Sequence, residues 1–423
     1  SQGILKRREV ARVVGADWRR TLRTAKPLDP IYVAKSIDMR VVFEEAAKSG
    51  REWAVLLARY LRDGFPRRTQ EERAAADGVD FCPGAPKVAP EYFNAIFGLK
   101  EANVVKARSA VGSSATDTCY VGYFQVPKTA EFDRAIVNCI TANGRFKPPE
   151  VFGLIEIPTL LGIIREYGPE AGVATADLRH FFWQISLPEV DQRMFTIHTD
   201  SAGVGLDFCL QALPMGFSWA PWTAQGTATL FAIRACESVG WKVRMPEGWA
   251  SATAPPPFFH VFEGERRIAT IIIWYDNFLV LALNAGVLRN VLGMLDRSAK
   301  NWKLKWKVGE SVTEHWTRDI GKGIYVGIKF QFDSTGALCW HHPPSAISNW
   351  KDSVLQEVMS LEEVAHYLGV LVWDSVIRLG SLSFQLREIC SWVSQWVGVS
   401  EEVWKCRWHK LENRTDLRPP HDL

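Results

Sequence analysis

The chain has 423 residues, a length that corresponds to about three folding units at roughly 150 residues each. Apolar residues make up 47% and charged residues 23%, which excludes wholesale disorder and leaves ample material for a core. Fifty Lys and Arg against 47 Asp and Glu leave a net charge of +3, which excludes a histone-like basic binder while leaving room for a local basic face.

Eighteen Trp residues suit either core filling or base stacking. The eight cysteines, at 82, 119, 139, 209, 236, 339, 390 and 406, form no CxxC pair and read as reduced thiols. Cys339, His341 and His342 offer three metal-ligating groups without a clear fourth, a poor match to zinc. The longest apolar stretch, 268–283, is interrupted by Asp276 and Asn277, so no membrane span is expected.

The chain starts at Ser1, which reads as a processed product. Lys6, Arg7, Arg8, Arg12, Arg19, Arg20, Arg23 and Lys26 face only Glu9 and Asp17 in the first 26 residues. This pattern suits a solvated helix face, an arm for RNA phosphates, or the remnant of an organelle import signal. Residues 42–61 carry Phe43, Ala47, Trp53, Leu56, Leu57 and Tyr60 at helical steps. Residues 64–90 are rich in Arg, Glu, Ala, Gly and Pro and read as a linker, setting a boundary near 90. From about 119, short β-like runs (119–126, 172–176, 268–275 and 323–332) alternate with helical ones, which predicts an α+β or α/β domain. Segments 361–371 and 379–396 have amphipathic helical spacing.

Three stretches bear on chemistry. In 174–185, a small apolar run delivers Asp177 where a strand should end. In 212–221, Leu213-Pro214-Met215-Gly216 precedes Phe217-Ser218-Trp219-Ala220-Pro221 and a helical run. In 271–281, two apolar strands flank Asp276-Asn277, which reads as a hairpin with the acid at its tip. Each alone also suits a helix cap, a turn or an ordinary hairpin.

Together, in this order and spacing, the three stretches resemble the palm of a reverse transcriptase, most closely that of LTR-type retroelements and their relatives. The resemblance covers residues 120 to about 390. It implies an α+β right-hand fold of fingers, palm and thumb with an N-terminal helical extension. The segments are then 1–90 (basic helical extension and linker), 91–176 (fingers), 177–332 (palm) and 333–423 (helical thumb or connection).

The resemblance also implies roles for individual residues. Asp177 and Asp276 would hold Mg²⁺ or Mn²⁺ on adjacent strands, with Asn277 at the third catalytic position, where the family has a second aspartate. Two metal ions about 4 Å apart would serve nucleotidyl transfer, and such ions need convergent carboxylates. Lys128 and Arg134 would grip the triphosphate of an incoming nucleotide, with Asn143-Gly144 turning the fingers hairpin. Phe182, five residues after the first Asp, would exclude a 2′-hydroxyl, and Met215 and Gly216 would lie beneath base and template. Lys305 or Lys307 would be the Lys after the palm hairpin, Tyr325-Val326-Gly327-Ile328 the primer-grip strand, and 361–384 the thumb.

Because Asn277 removes one negative charge, polymerase activity is expected to be weak or absent. The favoured expectation is a repurposed RNA-binding subunit of a ribonucleoprotein, such as a mitochondrial ribosome, holding structured RNA through phosphates and stacking. A mitochondrial location follows from the basic start, with cytoplasm or nucleus as alternatives. An active RNA-directed DNA polymerase working on an RNA/DNA duplex is the second reading, and a scaffold that binds only protein the third.

Overall fold

The computed structural model describes residues 26–28, 34–77, 88, 92–110, 118–128, 130–201, 204–246, 249, 253–307 and 324–342. The expectations for the basic residues before Lys26, and for the helical thumb and other segments after 342, lie outside the described residues. Helices and strands are mixed, in agreement with the α+β expectation. By contacts the chain divides into two compact units, one of residues 24–155 with 164–326, the other of 1–23, 156–163 and 327–423.

In the first unit the strands follow as β1 (Val105–Ala107), β2 (Gly122–Pro127), β3 (Asp133–Asn138), β4 (Gly172–Asp177), β5 (Thr196–Ser201), β6 (Val204–Leu210), β7 (Lys242–Arg244), β8 (Phe258–Glu263), β9 (Arg266–Trp274) and β10 (Asn277–Ala282). A five-stranded sheet runs β4-β10-β9-β8-β7, and every neighbouring pair in it is antiparallel. Strands β7 and β8 come from the residues between the stretches 212–221 and 271–281. A smaller sheet has the order β1-β6-β5, and β2 and β3 form a separate hairpin.

Strands β9 and β10 are central and covered on both sides, which is why their sequence is nearly continuous apolar rather than alternating. Ala174, Ala176, Ile271, Ile273, Phe278 and Val280 belong to the main core, together with Phe231, Leu288 and Leu292. The alternate residues Thr270, Ile272, Leu279 and Leu281 are buried as well. Helices Ala220–Ser238 and Ala285–Trp302 pack on each other and on the sheet. The first is buried nearly all round, and its Ala, Gly and Thr let neighbours approach closely.

The helical rhythm of 42–61 is split into two helices, Met39–Ser49 and Glu52–Asp63. Gly50 ends the first in the left-handed region (φ 64°), a stop that periodicity alone does not reveal. Both helices pack on Ala220–Ser238 within the first unit. Arg234 bonds Glu45 at 2.7 Å and Arg51 bonds Glu237 at 2.7 Å.

The segment read as a linker is partly built into the core. Phe65 is buried, its N–H donates to the fully buried Asp191 carboxylate at 2.8 Å, and Arg67 pairs with the same carboxylate at 2.9 Å. A helix follows at Gln70–Asp77. Phe65, Phe146 and Phe195 each meet Phe217 edge to face, with centroids 4.8–5.1 Å from it. Trp53, Trp183, Trp219, Trp222, Trp302 and Trp306 are all buried, so much of the Trp content fills core.

The turn of the β2–β3 hairpin differs from expectation. Lys128 N–H donates to the Phe132 carbonyl and closes the hairpin there. Asn143 instead ends a short helix, Ile140–Asn143, after β3. Its side chain donates to the Gly216 carbonyl at 3.0 Å and accepts from Ser218 N–H at 2.9 Å, so it braces a distant turn.

Beyond β11 (Ile324–Tyr325), the second unit carries the hairpin of β12 (Ile328–Phe332) and β13 (Leu338–His341). The expected run 323–332 is broken at Val326 and Gly327, both at positive φ (46° and 79°). Asp333 secures the β12–β13 turn by accepting from Thr335 and Ala337 N–H groups at 2.8 and 3.0 Å.

Candidate active site

The site begins at the end of β4. Asp177 closes that strand and lies across from Asn277, the first residue of β10. Asn277 is paired on its other side with Trp274, so Tyr275 and Asp276 alone make the β9–β10 turn. Tyr275 occupies the left-handed region at φ 56°. Leu178 N–H donates to the Asp276 carbonyl at 2.9 Å, tying the turn to the residue after Asp177. The two aspartates, far apart in sequence, thus meet at one end of the sheet.

Asp276 is largely buried beside a second carboxylate. Burial first, and then the Asp177 charge, push its pKa up to about 6. The Asn277 amide donates to the Asp276 carboxylate at 3.1 Å, and the Lys307 ammonium pairs with Asp177. Lys307 is held in place because its backbone N–H donates to the Asp177 carbonyl at 2.8 Å. Of the two lysines named from sequence, Lys307 is therefore the one at the carboxylates. The buried phenol of Tyr325 approaches the Asn277 carbonyl at 3.4 Å, and burial raises its pKa far above the usual tyrosine value.

A cavity of about 280 Å³ opens beside the aspartates. Lys128, Arg134, Asp177, Phe182, Met215 and Asp276, six of the residues singled out from sequence, all line it. Lys128 and Arg134 come from the β2–β3 hairpin, and Phe182 from the short helix Phe181–Gln184 after β4. Met215 is 38% exposed, an apolar side chain presented to the cavity.

Asn277 and Gly216 are outside the lining. Gly216 acts from behind, since a Cβ there would lie 2.3 Å from the Val137 carbonyl of β3. Only glycine permits that approach between turn and hairpin. The lining also includes Arg179, His180 and Lys307, of which only Lys307 was anticipated from sequence. Lys128, Arg134, Arg179 and Lys307 thus line the cavity together with the two carboxylates.

Buried amides hold the loops of the site, and sequence reading missed them. Gln184, fully buried, donates to the carbonyls of Arg179 (2.7 Å) and Lys305 (2.8 Å) and accepts from Lys305 N–H (2.8 Å). It fixes the loop after Asp177 against the segment carrying Lys307. No local pattern could have revealed it, because Lys305 is 121 residues away.

Among the described residues, no group of three or more His, Cys, Asp or Glu converges as a metal cage, Cys339, His341 and His342 included. The described cysteines are thiols rather than disulfides. No described helix is long and apolar enough to cross a membrane. The chain matches no protein-family model and no curated protein.

Proposed function

We propose that this chain is a reverse-transcriptase-like protein whose cavity takes a nucleoside triphosphate beside an RNA template, and that its nucleotidyl transfer is weakened by Asn277. The observation that carries this reading is the convergence of Asp177 and Asp276 with Lys128 and Arg134 around one cavity. The antiparallel sheet backed by two helices supports its comparison with a polymerase palm, and the β2–β3 hairpin its comparison with fingers.

The carboxylate pair suits Mg²⁺ or Mn²⁺. Burial, and after it the second carboxylate alongside, make Asp276 hold its proton unusually tightly, and a divalent cation relieves that repulsion. Asp177 and Asp276 are the residues that would hold it. Such a cation would supply Lewis acidity for a primer hydroxyl and charge neutralisation for a leaving pyrophosphate. The chain's own contribution is positioning. Lys128 and Arg134 offer charge to the triphosphate, Phe182 closes the sugar side, and Gly216 lets the turn carrying Met215 approach β3.

Asn277 supplies an amide where the family has a carboxylate. At an effective dielectric of about 20, a unit charge 4 Å away is worth roughly 4 kcal/mol. With half of that screened, about tenfold to several hundredfold in metal occupancy or rate is lost. The same substitution, with Lys307 already on Asp177, favours a second reading: an RNA-holding subunit of a ribonucleoprotein that needs no chemistry.

Primer extension on an RNA template in Mg²⁺ and Mn²⁺ separates the two. The proposal expects extension by the parent chain that Asp177→Ala abolishes and Asn277→Asp increases. Silence from parent and Asn277→Asp alike, with RNA still bound by Asp177→Ala, would establish the second reading.

A further inference from the structure

Gln225 is fully buried on the helix Ala220–Ser238, facing the sheet rather than solvent. Its Oε1 accepts from the Tyr275 N–H at 2.9 Å. Its Nε2 donates to the Ile273 carbonyl at 3.1 Å and reaches the Pro256 carbonyl at 3.4 Å. One side-chain amide therefore grips the backbone on both sides of Trp274, immediately before Asp276. A buried amide with both ends satisfied in this way resists displacement, because losing either partner leaves a desolvated polar atom.

The grip falls where the chain most needs it. Tyr275 is a non-glycine residue in the left-handed region, an arrangement that costs free energy and persists only where surrounding contacts over-determine it. Its N–H is committed to Gln225, so the turn cannot relax without leaving that donor or the Gln225 oxygen unpaired. From the turn the constraint continues through the Asp276 carbonyl to Leu178 N–H and hence to Asp177.

We propose that Gln225 is a positioning residue for the carboxylate pair, setting through the Ile273 and Tyr275 backbone where Asp276 presents its side chain to a divalent cation. The inference rests on the reading of Asp177 and Asp276 as a divalent-cation site. It adds a residue that touches neither cation nor nucleotide and lies 51 positions before the aspartate it serves.

The test is Mn²⁺ binding to the full chain without nucleotide, read by the electron paramagnetic resonance of free Mn²⁺, alongside thermal melting. Gln225→Met keeps volume and removes the hydrogen bonds to the Tyr275 and Ile273 backbone that hold the turn. Two neutral hydrogen bonds translate into about tenfold weaker Mn²⁺ binding. Ile233→Val, a buried change on the same helix away from the turn, lowers the melting temperature and leaves Mn²⁺ affinity unchanged. Should Gln225→Met fail to fold, Gln225→Asn keeps a neutral amide but draws it back by one methylene from the Ile273 and Tyr275 backbone, and is expected to weaken binding about threefold.

Parent-like Mn²⁺ affinity in a folded Gln225 variant overturns the inference, as does equal weakening by Ile233→Val, which would make the effect one of general stability. If the parent chain binds no Mn²⁺, or if Asp177→Ala binds it as well as the parent does, the reading of the site fails and the inference falls with it.

Discussion

Asn277 and Asp177 are register partners on β10 and β4, so the residue that breaks the expected acidic pair lies directly across from the first catalytic candidate. The Asn277 side chain meanwhile donates to Asp276 at 3.1 Å. One amide thus replaces a repulsive charge with a hydrogen bond and quiets the crowding of carboxylates. Introducing an acid with Asn277→Asp should lower stability in metal-free buffer at pH 7 by about 1–2 kcal/mol, since three carboxylates then share one partly buried end of a sheet. Addition of Mn²⁺ should return most of that loss. Melting curves with and without Mn²⁺ check both effects, and a destabilisation that Mn²⁺ leaves untouched would count against a shared cation site.

The raised pKa of Asp276 has a defined sign for stability. In the folded state the group holds its proton up to about pH 6, whereas an ordinary Asp releases it near 3.8. Between those values the folded chain binds more protons than the unfolded one, so stability falls as pH rises through the window. Asp276→Asn removes that cost. The variant should exceed the parent by about 1–2 kcal/mol at pH 7, allowing for partial solvent screening, with the margin nearly gone at pH 4. Urea unfolding at the two pH values measures it. An equal margin at both would mean that Asp276 titrates normally.

Lys307 supplies the counter-charge to Asp177 from an exposed position, with 60% of its side chain accessible. An ion pair of that kind contributes at most about 1 kcal/mol, so Lys307→Met should barely change stability. Its effect on cations should be larger. With the ammonium gone, the carboxylates present more negative charge, and Mn²⁺ should bind about threefold to tenfold more tightly. Mn²⁺ titration of the variant decides the point, and unchanged affinity would mean that Lys307 leaves Asp177 freely.

Gly216 predicts a steric effect. Even alanine puts a carbon 2.3 Å from the Val137 carbonyl, and that neighbour is backbone rather than a mobile side chain. Gly216→Ala should cost about 2–4 kcal/mol through displacement of β3 or of the turn. Asn143, bonded to both Gly216 and Ser218, would share the distortion. Because Arg134 sits on β3 and Met215 on the turn, binding of a fluorescent nucleotide should weaken in parallel. A stable variant with intact nucleotide binding would show that turn and hairpin move apart at little cost.

Legibility in the sequence followed the range of the interactions. The strand ending in Asp177 and the hairpin tipped by Asp276 were legible because strand, turn and acid are contiguous. The hairpin turn was misplaced to Asn143-Gly144, a dipeptide that suits a turn locally but is used here to brace Gly216 across the fold. The break at Gly50 lay hidden inside an unbroken helical rhythm, since both helices turn the same kind of face toward Ala220–Ser238. The linker reading of 64–90 failed at its start, where Phe65 and Arg67 found a buried carboxylate 126 and 124 residues away.

Periodicity and neighbouring residues were enough to read strands over 172–176 and 268–275, helix over most of 42–61, an acid at the end of β4 and an acid at the tip of the β9–β10 turn. Packing of the whole chain was needed to bring these acids to one end of a sheet, to put Lys307 rather than Lys305 on Asp177, and to anchor the loops between them with Gln184 and Gln225. The reason is physical. Backbone preferences and hydrophobic periodicity act over a few residues, whereas carboxylate repulsion, ion pairing and buried-amide satisfaction depend on distances that exist only once the chain has packed.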